Sequence, residues 1–149
     1  LVDPVSRRLF FVPNPVEFKI ETESSLAKEA PWHPDNSKLG MREEKVNSGD
    51  TIYLPGEEIQ KATELRLKNL CNVMVENKSL KFSGFDHKQG NPIMQWCCSH
   101  HKMELFYPDG NSVKGVVEDN ISDLDGQVVQ FERVGFVRLE GNKAFFLHR

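Results

Sequence analysis

The residues Val16-Glu17-Phe18-Lys19-Ile20-Glu21 alternate apolar and charged side chains over their whole length. Successive side chains of a β-strand point to opposite faces, so the alternation places Val16, Phe18 and Ile20 on one face and the three charges on the other. Residues 64–68 repeat the pattern, with two leucines on one face and two cations on the other. Both stretches therefore predict strands with one buried and one solvent-facing side.

Similar short runs recur along the chain, and no stretch shows a long helical period. Residues 107–111 and 140–143 carry the Pro, Gly, Asn and Asp chemistry of tight turns. One short helix is predicted over residues 55–62, and the polar segment 30–50 is predicted to be irregular. About ten short strands at roughly 8–12-residue spacing favour an all-β chain of the barrel or sandwich type. The further predicted strands cover residues 8–12, 51–54, 71–75, 80–85, 93–97, 103–107, 112–117, 127–133, 135–139 and 144–147.

Length and charge limit the class of protein. The 149 residues suffice for one domain, or for two small ones. No apolar run approaches the roughly 18 residues of a membrane-spanning helix, and no secretory signal pattern opens the chain. The first residue is leucine, which suggests a fragment or a processed product. The net charge of −3 argues against a protein that coats DNA non-specifically, so any nucleic-acid binding must use local basic patches.

The three cysteines are an odd number and two are adjacent, which favours a reducing, cytoplasmic compartment over a disulfide framework. Cys97 and Cys98 stand close to His100 and His101, but adjacent residues of a strand point to opposite sides, so we predict no metal site. A metal-binding module built on these four residues remains a remote alternative. The chain shows no hydrolase signature and no Gly-rich phosphate loop, so we predict no catalysis by this chain alone.

The segment 128–139 is the most informative part of the sequence. Gln130 and Arg133 are three residues apart, so a regular strand would direct them to opposite faces. Arg133 would then share a face with Val129 and Phe131, where a cation is poorly placed. Two explanations stay open: either Arg133 is buried against a carboxylate, or the strand breaks near Gly135 and turns both polar side chains to one surface.

At this point the sequence resembles a known family over nearly its whole length. The match rests on an ordered set of motifs: RRLFFVPNPV at 7–16, HP at 33–34 with glycine at 40, LRLKN at 65–69, VQFERVG at 129–135, and HR at 148–149. This set resembles the C-terminal anticodon-binding region of archaeal-type glutamyl-tRNA synthetases, which are related to glutaminyl-tRNA synthetases. The Q-F-E-R-x-G-[FY] block is its most specific element. The class I catalytic motifs H-I-G-H and K-M-S-K-S are absent.

The resemblance implies a fold of two small closed β-barrels of the kind also seen in a ribosomal protein, mainly antiparallel and with one short helix. A proximal barrel would comprise about residues 1–56 plus 118–149. A distal barrel would comprise about residues 57–117.

The resemblance also implies site residues. Arg8, Gln130 and Arg133 match the positions that contact the middle anticodon base, uracil, in the glutaminyl relatives. An unstacked uracil presents two carbonyl acceptors and one N–H donor, which Arg and Gln side chains can satisfy. Lys68, after Arg66, stands where the relatives use a second arginine to read the first base. Lysine keeps the cation but lacks the bidentate fork.

Glu57 and Glu58 fall where the glutaminyl relatives have a Lys-Arg pair near the third anticodon base. Glutamate and glutamine anticodons differ at that base, C against G, and carboxylates accept hydrogen bonds where the cations donate them. We therefore predict weak or absent glutamine-type selection of the third base. Arg66 is counted with Lys68 among the predicted anticodon-binding residues. The RNA is expected to bind a limited basic surface, for which the candidates are Arg7, Arg8, Lys45, Arg66, Lys68, Arg133 and Arg138. Of these, Lys45 and Arg138 are better explained as solvated charges.

By resemblance, the full enzyme would use ATP and Mg²⁺ to attach glutamate to tRNA, whereas this chain would need no cofactor or metal and would be inactive alone. Its expected partner is tRNA(Glu), with tRNA(Gln) as a further hypothesis, and neither DNA nor a membrane. A cytoplasmic location is expected. The alternative function is a freestanding β-barrel protein that binds ribosomal RNA.

Overall fold

The computed structural model describes residues 8–31, 41–59, 63–86, 88–98, 100–118 and 124–149. These residues form fifteen strands and one short helix, and none of their helices is long and apolar enough to cross a membrane. In chain order the elements are β1 (Arg8–Leu9), β2 (Phe11–Pro13), β3 (Pro15–Glu21), β4 (Leu26–Pro31), β5 (Met41–Val46), β6 (Thr51–Pro55), α1 (Gly56–Ile59), β7 (Glu64–Leu67), β8 (Cys71–Glu76), β9 (Ser79–Gly84), β10 (Ile93–Met94), β11 (His100–Phe106), β12 (Ser112–Glu118), β13 (Val128–Phe131), β14 (Gly135–Glu140) and β15 (Lys143–His148).

The first barrel is a seven-stranded sheet in the order β1-β13-β14-β15-β11-β12-β2. Its two edge strands, β1 and β2, are separated in the sequence only by Phe10, so the chain itself brings the edges together. The Leu9 carbonyl accepts a 3.0 Å hydrogen bond from the Glu132 N–H, and the Phe10 carbonyl accepts one of 3.3 Å from the Glu118 N–H. The sheet is thereby almost closed on itself.

The second barrel is a six-stranded sheet in the order β10-β7-β8-β9-β3-β6. Reciprocal backbone hydrogen bonds of 2.8 and 3.2 Å join Tyr53 in β6 to Cys97, just beyond β10, and so link its two edges. Eight of the twelve strand pairs in the described residues are antiparallel. The predicted fold class, all-β with two small, mainly antiparallel barrels and one short helix, is confirmed.

The segment from β1 to β2 contributes to the cores of both barrels. Leu9 and Phe11 pack in the core of the first barrel, and Phe10 and Val12 pack in that of the second. All four are buried, which follows from the alternation of side chains along an extended chain between two apolar interiors. This segment therefore fixes the two barrels against each other.

The hairpin of β4 and β5 overlaps the segment 30–50, where irregular structure was predicted, so that prediction was wrong for the residues in these strands. Among the described residues, the two strands pair only with each other, in a separate two-stranded sheet. Leu26 and Val46 are partners at one end of the hairpin and are buried. Because the rest of β5 is mostly charged and adds to no barrel, it lacks the apolar alternation by which a strand is recognised.

Other predictions can be compared directly with the structure. Helix α1 begins in the predicted region and ends at Ile59, and the remaining predicted helical residues 60–62 lie outside the described residues. The predicted turns at 107–111 and 140–143 join β11 to β12 and β14 to β15. The sheets do not follow the predicted barrel boundaries: β3 and β6 belong to the second barrel, and β11 and β12 to the first.

Candidate nucleic-acid interface

Arg8 and Gln130 lie side by side because β1 and β13 are parallel neighbours in which these two residues are partners. The Arg8 Nε–H donates a 3.0 Å hydrogen bond to Gln130 Oε1, and both residues are partly exposed. With Oε1 occupied in this way, the NH₂ group of the Gln130 amide can donate outward. The pair thus presents hydrogen-bond donors at the surface of the first barrel.

Arg133 lies in the turn between β13 and β14. Strand β13 ends at Phe131, β14 begins at Gly135, and Arg133 has a φ of +68°. Its Nη1 donates to Glu58 Oε1 at 3.1 Å and its Nη2 to the Ile93 carbonyl at 2.6 Å, while half of the side chain is exposed. The strand therefore breaks before Gly135, as the second explanation expects, and Arg133 meets a carboxylate that is exposed rather than buried.

Lys68 is engaged at the junction of the barrels. Its Nζ lies 3.0 Å from Glu132 Oε2 and 5.8 Å from the centre of the Phe10 ring. The Glu132 side chain is only 13% exposed, and its backbone carbonyl accepts a 3.0 Å hydrogen bond from the Gln95 amide. This arrangement joins the β13–β14 turn of the first barrel to the second barrel. Sequence reasoning missed Glu132 and Gln95 as junction residues, although Glu132 stands inside the Q-F-E-R block.

Arg66 supports a loop of the second barrel. Its Nη1 donates to Asn72 Oδ1 at 3.2 Å and to the Phe85 carbonyl at 2.8 Å. The fully buried Asn72 donates in turn to the Asp86 carbonyl at 2.5 Å. Arg66 and Asn72 therefore hold the backbone that follows β9, a role that the sequence pattern did not indicate.

Glu57 and Glu58, in α1, line a cavity of about 360 Å³ between the barrels. Its apolar side includes Phe11 and Tyr107, and Val134 follows the turn residue Arg133. The described side-chain hydrogen bonds join Arg8 to Gln130 and Arg133 to Glu58. These two hydrogen bonds do not link one pair to the other. Glu58, which is predicted to lie near the third anticodon base, is thus in contact with Arg133, which is predicted to contact the middle base.

The cysteines are held in ordinary packing contacts. Cys97 is buried with its Sγ 3.8 Å from the Phe10 carbonyl, whereas the partly exposed Cys98 has its Sγ 3.9 Å from Asp50 Oδ2. Burial raises the pKa of the Cys71 thiol to about 11, which disfavours the thiolate that metals bind. Within the described part of the chain, no group of three His, Cys, Asp or Glu side chains is placed to hold a metal ion.

The Arg, Lys and Gln side chains near the junction of the two barrels are of the types with which β-barrel modules bind nucleic acids. The chain belongs to the family of anticodon-binding domains of class I tRNA synthetases (E and Q). One model of this family matches residues 6–87, and a second model with the same description matches residues 80–140.

Curated relatives give the same result. A glutamate–tRNA ligase of Thermoplasma volcanium is 33% identical over 99% of this chain, one of Pyrococcus abyssi is 32% identical over all of it, and one of Methanocella arvoryzae is 35% identical over 94%. The matches cover 27%, 29% and 26% of those relatives. The chain thus spans less than a third of the length of each.

Proposed function

We propose that this chain binds the anticodon loop of tRNA(Glu) as the anticodon-binding part of a glutamate–tRNA ligase. The observation that carries the proposal is the Arg8–Gln130 pair, which sits in two motifs of the family and presents its donors at the surface. The full enzyme would activate glutamate with ATP and Mg²⁺ and esterify it to tRNA in the cytoplasm. We assign this chain the recognition of the tRNA within the full enzyme.

Reading of the middle uracil would use the donors of Arg8 and Arg133 and the amide of Gln130. The two uracil carbonyls accept from guanidinium and amide N–H groups, and a Gln amide oxygen can accept from the uracil N3–H. In the free protein that oxygen is held by Arg8, and the Arg133 guanidinium is held by Glu58. Binding would therefore exchange these internal hydrogen bonds for bonds to the base.

The first test is binding of this chain, at low salt, to tRNA(Glu) and to the same tRNA with its middle anticodon uracil replaced. We expect the substituted tRNA to bind about 5- to 150-fold more weakly, because a base contact of this quality contributes roughly 1–3 kcal/mol. Binding should also weaken as salt is added. Equal affinity for both tRNAs would contradict anticodon reading and favour a generic RNA-binding barrel.

A third tRNA, with G in place of the third anticodon base C, extends the same measurement. The cavity beside Glu57 and Glu58 carries carboxylates where the glutaminyl relatives have cations, so we propose that selection between C and G at this base is weak. A large loss of affinity with G would oppose acceptance of tRNA(Gln). Lys68, bound to Glu132 at the junction, is proposed to support the first-base region as a positioning cation.

The Glu58–Arg133 ion pair makes a separate prediction. Glu58→Gln should raise the affinity for tRNA(Glu) several-fold, because it removes both a carboxylate that competes for Arg133 and a negative charge beside the RNA backbone. Glu57→Gln is the matched control, since it removes the same charge one residue away and Arg133 has no described bond to Glu57. An equal gain in tRNA affinity from both variants would show that only the removed negative charge matters, and that Glu58 does not compete with the RNA for Arg133.

A further inference from the structure

Phe85 is the most exposed of the large apolar side chains in the described residues, with 60% of its surface accessible. One side of its ring rests on Phe82, at a centroid distance of 4.9 Å and an interplanar angle of 60°. Both rings line a broad cleft of about 680 Å³, together with Lys81 and the carboxylates Glu21 and Glu23. Phe85 therefore contacts another aromatic ring and still leaves most of its own surface accessible.

The loop that carries Phe85 is held firmly at its backbone. Arg66 donates to the Phe85 carbonyl at 2.8 Å, and the buried Asn72 donates to the carbonyl of the next residue. On the same outer side of β7, Glu64 accepts hydrogen bonds from Ser83 at 2.9 Å and from Lys88 at 3.0 Å, on either side of Phe85 in the sequence. Hydrogen bonds lower the pKa of the Glu64 carboxyl: the bond from the Lys88 ammonium has the largest effect, and those from Asn91 and Ser83 add to it.

These bonds fix the backbone from which the Phe85 side chain projects. The loop backbone cannot shift inward without breaking the bonds from Arg66 and Asn72, and Asn72 would then be left buried without its partner. An exposed aromatic ring on a fixed backbone, with a guanidinium bonded to its own carbonyl, is an arrangement that suits an unpaired nucleobase, because the face of the base can stack on the ring.

We propose that Phe85 is a stacking platform for one unpaired nucleotide of the bound RNA, and that Arg66 positions it. The inference rests on the proposed function, because it requires an RNA ligand. It adds a contact that reads no base identity, since every base offers a flat face to an aromatic ring. It also gives Arg66 a role in orientation of the loop rather than direct hydrogen bonding to a base.

The test compares Phe85→Ala, Phe85→Leu and Phe85→Trp for binding to tRNA(Glu). We expect alanine and leucine to weaken binding by about 5- to 100-fold and tryptophan to retain it, because stacking needs an aromatic face and not apolar area alone. Phe145→Ala, which truncates a partly exposed ring of the first barrel, is the matched control and should bind as the unmodified chain does. Urea unfolding of each variant confirms that it is folded.

Fluorescence supplies a second readout. Tryptophan at position 85 should be quenched when tRNA stacks on it, beyond any change in the unmodified chain, whose own tryptophans Trp32 and Trp96 give the background. Unchanged affinity of Phe85→Ala, or equal affinity of the leucine and tryptophan variants, would overturn the stacking role and leave Phe85 as a protein contact. If the unmodified chain still distinguishes the middle uracil, either of these results contradicts only the stacking role of Phe85. If the unmodified chain binds no tRNA, the proposed function is contradicted as well.

Discussion

Arg133→Ala should weaken binding of tRNA(Glu) by about 10- to 100-fold and largely abolish discrimination of the middle uracil. The side chain is half exposed, its φ of +68° places it on a turn outside the sheet, and its two described bonds are to an exposed carboxylate and a backbone carbonyl. Its removal therefore leaves the barrel cores intact. The measurement is the dissociation constant for natural and uracil-substituted tRNA at one fixed low salt concentration.

Arg138→Ala is the matched control, because it removes an exposed cation from the adjacent strand β14, outside the turn. It should lower affinity slightly and equally for both tRNAs. A second comparison uses the double variant Arg133→Ala with Glu58→Gln. Full recovery of binding in the double variant would mean that the unpaired Glu58 carboxylate, and not the lost guanidinium, caused the defect, and the assignment of Arg133 as a base reader would be wrong.

Gly135→Ala should destabilise the fold by about 3 kcal/mol. Gly135 has a φ of +140°, a conformation that residues with a side chain rarely adopt. A Cβ there would lie 2.7 Å from the His148 carbonyl oxygen and 3.0 Å from the Phe146 ring. Since the carbonyl belongs to a paired strand, β15, it cannot move away without disturbing the sheet. The free energy of unfolding in urea measures the loss.

Gly141→Ala tests the explanation in the same pair of strands. Gly141 also has a positive φ, +61°, but a Cβ at that position would meet no atom within 4 Å. Its replacement should therefore cost only about 1 kcal/mol, from backbone conformation alone. Equal destabilisation by the two alanines would show that the close approach to β15 has no part in the requirement for glycine.

Local patterns predicted most of the fold, because alternation along a strand and turn chemistry between strands are properties of a few adjacent residues. These local patterns did not predict β5, which joins neither barrel in the described part of the chain. The family motifs single out Arg8 and Gln130 together, and the structure places these two side chains in contact, whereas their role in reading a base stays a prediction. The Glu58–Arg133 and Lys68–Glu132 pairs could not be predicted, since they connect residues 75 and 64 positions apart and depend on how one barrel docks against the other.

The alternation of Leu9, Phe10, Phe11 and Val12 between two interiors has a consequence for the energetics of the whole domain. Val116 and Val117 repeat it on the neighbouring strand β12, one in each core. Loss of either barrel would expose apolar side chains of strands that the other barrel still needs. We therefore expect the two barrels to unfold as one cooperative unit, since these shared strands carry a distortion of either barrel to the other.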